Sequence, residues 1–272
     1  MSATEFAGFT STLVAALDDR RMRIIAIALM CGAMVCFTGL DTSSKWLGLR
    51  IPTAQIVFAR YAGAALIALA VARPWSQPSI VRSNRPGLQA LRSLLLFGST
   101  ASVVLALRQL QLAETATISF LGVLIATRPG TSAFQPIVLV AVAGVACNSG
   151  YVLATRKLAS LDSAATTLLW TQAAGVVFLP PMLPWVWTWP ESIHVWLAMA
   201  GLGAFAAAGH GLLIVAHKYA PAPVLTPFSY TQLIWMIVAG FVVFGDWPPT
   251  ATLGGAALVV ACGVWLAVRE RG

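Results

Sequence analysis

The sequence predicts an all-α polytopic membrane protein built from two related helical halves. Three observations carry this. First, 58% of its 272 residues are hydrophobic and only 10% are charged, with a mean hydropathy of +0.82. A soluble domain carries about 25% charged residues; this chain has too few to cover a water-facing surface, so its solvent is lipid. Second, apolar runs of about 20 residues, the length of one crossing, recur along the chain. Third, the second half repeats the first in register.

Residues 1–22 read as a mildly apolar N-terminal tail. They lack the basic start and small-residue cleavage site of a signal peptide, which makes the first apolar helix the expected insertion signal. The apolar runs then fall at residues 23–47, 53–72, 88–110, a short one at 113–127, 134–158, 163–186, 194–216, 223–244 and 250–268. That gives about nine apolar helices. A barrel is excluded, because the runs show no period-2 alternation and are too long for barrel strands.

The formal net charge of +8 does not point to nucleic acid. The cations sit in small groups between apolar runs: Arg20, Arg21 and Arg23; Arg73, Arg82, Arg85 and Arg92; Arg156 and Lys157; Arg269 and Arg271. No basic face follows a phosphate backbone, whereas loop cations are what membrane orientation requires. Cys31, Cys36, Cys147 and Cys262 all lie inside apolar runs, without a CxxC pair or a Cys/His cluster. They read as small apolar side chains, not metal ligands or disulfides.

The repeat is visible at an offset of 112, which places Gly32 on Gly144, Lys45 on Lys157, Arg60 on Gln172 and Gly63 on Gly175. Further on the offset is 109, with Arg108 on His217 and Ala113 on Ala222. It then jumps to 141, pairing Arg128 with Arg269, and leaves residues 231–262 with no counterpart in the first half. The expected organisation is a tail (1–22), a shortened first repeat with a hybrid fourth segment (23–130) and a five-helix second repeat (131–272).

GLDTSSKWL ending the first helix, QIVFARY in the second, LRQLQLAETATISF after the third, TRPG, and YTQLIWMIVAGFVVFGDWPPT near the end carry a family resemblance in their order and spacing. Residues 23–269 resemble the EamA-type transporters of the drug/metabolite transporter superfamily. The resemblance implies two inverted five-helix repeats, cytoplasmic termini and a central substrate cavity between the repeats. Here about nine helices stand instead of ten, because ISFL runs directly into GVLIATRPG and part of the expected cavity wall is missing. The DxxxK end of the first helix resembles the subset that includes S-adenosylmethionine and riboflavin carriers.

Loop charges orient the chain. The 73–92 loop, the Arg156–Lys157 turn, Lys218 and the C-terminus read as cytoplasmic, and the cation-free loops at 187–192 and 245–250 as external. The third helix then ends outside and the run at 134–158 begins outside. The hybrid segment between them should therefore cross an even number of times, and since its length allows one crossing at most, it is expected either not to span or to force a frustrated topology.

Candidate site residues follow from polarity within apolar runs, where ionisable groups are costly. Asp41 and Lys45, four apart, share a helix face, and Arg60 lies at a similar depth. The three read either as a gate or anchor for a charged substrate, or as a charge-balanced cluster with snorkelling cations. Asn148, Tyr151 and Gln172 either coordinate substrate or join helices by hydrogen bonds. His210 is either a proton-coupling group or a helix–helix contact. Tyr230 and Gln232 follow Pro227, whose interruption of a helix frees backbone carbonyls of the kind transporters use, or simply kinks it. Trp170 and Trp235 are candidates for stacking a flat substrate, and Trp185, Trp187 and Trp189 for an interfacial belt.

No catalytic, metal or nucleotide motif is present, so no cofactor and no enzyme activity is expected. The expected function is a secondary carrier of a small polar metabolite in the inner membrane. The alternative is a transport-impaired remnant or partner subunit. Expected partners are a small-molecule substrate and the lipid bilayer, with a homodimer as an option, and no nucleic acid.

Overall fold

The computed structural model describes residues 3–109, 137–158, 161–220, 222–250, 252–254, 256–257 and 261. Among these the fold is entirely helical: α1 Ala3–Gly48, α2 Thr53–Ala72, α3 Pro86–Leu107, α4 Ile137–Leu158, α5 Ala164–Phe178, α6 Ile193–Tyr219, α7 Ala222–Ser229 and α8 Thr231–Phe244. A 3-10 turn, Pro78–Val81, and a single helical turn, Leu183–Val186, lie in the connections. Among the described residues, five stretches are long and apolar enough to cross a membrane: Arg21–Gly48, Thr53–Ala72, Pro86–Leu107, Ile193–Leu213 and Pro227–Phe244.

Local sequence sets the boundaries. Pro52 precedes α2, and Arg73, left-handed at φ 46, closes it by donating its N–H to Leu69. Pro86 opens α3, where a missing N–H costs nothing. The Ser163 hydroxyl caps α5 by accepting from the Thr166 N–H at 3.0 Å. Three expectations shift. α1 extends back to Ala3, where a tail was expected. The run at 163–186 ends early, at Phe178, because Pro180 and Pro181 follow. The run at 223–244 is two helices, divided at Tyr230 just after Pro227.

α1 and α2 pack lengthwise on α6, and α3 forms an antiparallel pair with α4. Glycines allow this closeness. A Cβ on Gly63 would stand 2.8 Å from the Gly203 Cα, so α2 and α6 touch backbone to backbone. On the α1–α6 seam the Phe205 ring sits over Gly39 and the Phe37 ring over Gly209. Large apolar side chains such as Leu66, Val71, Val177 and Val242 point outward, while Thr38, Gln55, Gln89, Arg92, Thr100 and Thr171 are buried. An apolar exterior around a polar interior is stable in lipid and not in water.

The antiparallel pairing puts Leu107 and Ile137 at the same end of the bundle, because Ser102 meets Gly144 and Leu95 meets Gly150. That is what an even number of crossings between them requires. The hybrid segment itself, and most of the run at 250–268, lie outside the described residues. The 73–85 loop and the 158–164 turn share the opposite end, joined through Ser83 and Asp162. This matches the grouping that the loop charges assign to the cytoplasm.

Candidate functional site

The interior polar groups form three layers. The first lies at the end where α1 meets α2. Gly245, left-handed at φ 70, closes α8, and the next N–H, that of Asp246, returns to Gly240 O at 3.1 Å. This turn presents the Asp246 carboxylate to Lys45 Nζ at 2.5 Å. The same ammonium sits 4.6 Å from the centroid of Phe244. Beside it Gln55, fully buried, donates to Thr188 O at 2.9 Å and accepts from Thr188 N–H at 3.1 Å. Both contacts join the first half of the chain to the second.

The middle layer holds Asp41, Arg60, His210 and Gln232. Asp41 stands one turn before Lys45, and its Oδ2 accepts from Gln232 Nε2 at 3.4 Å. Arg60 acts on Asp41 through its charge. The two are nevertheless farther apart than the 4.0 Å of a salt bridge, since Lys45–Asp246 is the one ion pair among the described residues. His210 presents its ring edge to Phe37, with centroids 5.0 Å apart, and feels the charges of both Arg60 and Arg92. The Tyr61 hydroxyl donates to Thr100 Oγ1 at 3.3 Å nearby.

The third layer centres on Arg92, which the sequence reading counted as a loop cation. It lies inside α3 and is buried. Its Nε donates to Thr155 Oγ1 at 2.7 Å, and Nη2 donates to the Tyr151 hydroxyl at 2.9 Å. Nη1 donates to Thr171 Oγ1 at 2.7 Å and to Thr167 O at 3.2 Å. The Thr155 and Thr171 hydroxyls donate to their own i−4 carbonyls, so only their lone pairs face the guanidinium. The network continues outward: Gln89 Nε2 donates to Thr167 Oγ1 and to Asp162 Oδ2. Asp162 also accepts from the Ser83 hydroxyl and the Asn84 N–H. Partial desolvation raises the pKa of this loop carboxyl, but the hydrogen bonds from Ser83, Asn84 and Gln89 outweigh it and hold the group below the ordinary carboxylate value.

The structure thus brings Gln232 to Asp41 and turns Lys45 away to Asp246, while His210 meets the Phe37 ring. Tyr151 supports Arg92, and Gln172 is buried beside Thr171 in α5. Tyr230 caps α8 and packs with Leu107 and Leu233. Asn148 is exposed on α4 and joins none of these groups. Trp170 donates its indole N–H to Val81 O at 3.1 Å, and Trp235 is largely exposed on α8. No metal-ligand cluster occurs among the described residues.

Residues 135–269 match the EamA-like transporter family. The chain is similar to the S-adenosylmethionine uptake transporter of Rickettsia conorii, 21% identical over 88% of this chain and 91% of that protein. It is similar to the riboflavin transporter of Vibrio cholerae, 31% identical over 52% of this chain and 47% of that protein. A riboflavin transporter of Brucella anthropi is 22% identical over 89% of this chain and 98% of its own length. A solved crystal structure shares the fold, with a TM-score of 0.61 at 18% identity, covering 90% of this chain and 97% of that one.

Proposed function

We propose that this chain, whose residues 135–269 match the EamA-like transporter family and whose relatives are named as transporters and not as enzymes, is a secondary carrier whose solute passes through a central site between its two halves. The observation that carries the reading is the hydrogen bond between Asp41 of the first half and Gln232 of the second, with Arg60 on α2 and His210 on α6, the helices packed beside it. Contacts between the halves lie on either side of it. At one end stand Lys45–Asp246 and Gln55–Thr188, and at the other the Arg92 and Asp162 networks. Two such closures around a polar centre are the parts that alternating access needs. The inner membrane is the proposed location.

The solutes named for the relatives, S-adenosylmethionine and riboflavin, are the first to test on the purified full chain in liposomes. Uptake of either that exceeds protein-free liposomes and is competed by unlabelled solute is expected. A folded protein that moves neither would overturn the carrier assignment. It would favour the remnant reading, which rests on residues 231–262 having no counterpart in the first half.

A further inference from the structure

We infer that an open crevice between α2, α5 and α6 binds one anionic phospholipid, its phosphate held by Arg73 and one acyl chain lying along Gly211.

The crevice has a volume of about 600 Å³. Its walls include Val71 from the end of α2, Leu168 from α5, and Gly211 and Val215 from α6. Gly211 stands eight residues before the end of α6 at Tyr219, so the crevice reaches about 12 Å along that helix at ~1.5 Å per residue. A Cβ at Gly211 would meet nothing within 4 Å, which leaves room for a chain to lie against the backbone. Arg73, Ser76 and Gln77 form the mouth. An apolar trough with a polar rim at one end matches the two parts of a lipid.

Charge selects the headgroup. Arg73 has no ion-pair partner among the described residues, and no carboxylate lines the crevice. A planar guanidinium pairs with a phosphate through two parallel hydrogen bonds. The mouth lies at the end of the bundle that carries the 73–85 loop, where the loop charges place the cytoplasm and where anionic headgroups attract cations. Trp75 is exposed beside it, as an aromatic ring at headgroup depth is. A phosphocholine headgroup would bring a second cation next to Arg73, whereas a net anionic one does not.

The backbone gives Arg73 a role beyond ending α2. Among the described residues it is the one non-glycine residue with positive φ, at φ 46 and ψ 59. Glycine closes helices in this conformation without a Cβ clash, and a residue before proline, here Pro74, favours extended backbone. Glycine would serve the helix end better, so what arginine adds is its side chain at the mouth of the crevice.

The test is native mass spectrometry of the purified full chain in detergent with phosphatidylglycerol or phosphatidylcholine added. The wild type is expected to retain one phosphatidylglycerol in about fivefold preference to phosphatidylcholine, the order of one arginine at an anionic surface. Arg73→Gly is expected to abolish the preference while melting at or above the wild type; a role confined to the helix end would leave the preference unchanged. Arg73→Lys is expected to keep most of it. Gly211→Leu fills the trough and is expected to lower retention of both lipids in a protein that still melts cooperatively. Arg82→Gln removes an exposed cation outside the crevice and is expected to change nothing. Glycerol 3-phosphate, a phosphate without acyl chains, is expected not to displace the lipid. A preference that survives Arg73→Gly, an equal loss in Arg82→Gln, or displacement by glycerol 3-phosphate would overturn the lipid site.

Discussion

Gly203→Ala tests the α2–α6 crossing that holds Arg60 beside α6. The added Cβ would lie 2.5 Å from the Gly63 Cα, 2.6 Å from its carbonyl carbon and 3.0 Å from the Ala64 nitrogen. These are backbone atoms and cannot rotate away, so the helices separate by about 1 Å, which forfeits a quarter to a half of each contact well along the seam. Overpacking of this kind costs about 1–3 kcal/mol. Taking ~2 kcal/mol, the melting temperature falls by about 4–8 °C for a chain of this size. Gly211→Ala on the same helix is the matched control, since an added Cβ there meets nothing within 4 Å. Replacing Gly by Ala in a helix gains about 0.5–1 kcal/mol. The assay is tryptophan-monitored unfolding in one detergent. Gly203→Ala is expected well below the wild type, Gly211→Ala at or above it, and Gly63→Ala/Gly203→Ala short of the sum of the singles. A Gly203→Ala protein as stable as Gly211→Ala would refute the close crossing.

Arg92→Met leaves Tyr151, Thr155 and Thr171 without their donor and is expected to cost about 3 kcal/mol, against about 1 for Tyr151→Phe; both read out in the same unfolding assay. Asp162 contributes stability that is complete above its unfolded pKa of about 4 and lost as pH falls through its lowered folded value. Asp162→Asn should therefore melt below wild type at pH 7 and converge with it in strong acid, a convergence that a pH series of melting temperatures checks. A double-mutant cycle on Lys45→Ala and Asp246→Ala should give a coupling of about 1 kcal/mol for this part-buried pair, and a coupling near zero would remove the ion pair from the account. Reporter fusions at Ser76 and Trp247 should report opposite faces, with Ser76 cytoplasmic.

Hydropathy made the crossings legible, and punctuation made some of their ends so. The bounds of α2 match the expectation because Pro52 and Arg73 flank an unbroken apolar run. Pro227 announced a break, and the chain divides at Tyr230. Partners across helices were not legible. Lys45 was grouped with Asp41 by i,i+4 spacing, yet its ion pair is Asp246, 201 residues away. That turn depends on Gly245 adopting a left-handed conformation, which a hydropathy profile does not register. Arg92 looked like one more loop cation because it follows three others. The available signal was its position six residues past Pro86, inside the apolar helix. Asn148 stands exposed on α4, and its surroundings were not legible because apolar residues are spread over every face of that helix, so sequence does not tell which face meets α3.

Solvent access to the middle layer tests the central claim most directly. In a background without the four native cysteines, single cysteines at Arg60, Gln232, Val242 and Ser76 are exposed to a membrane-impermeant thiol reagent from each side in turn. A transport path predicts that the Arg60 and Gln232 positions react, that Val242 on the exposed apolar surface stays unreactive and that Ser76 reacts from one side only. Arg60 and Gln232 positions as unreactive as Val242 from both sides, in a folded protein, would contradict a solute path between the two halves.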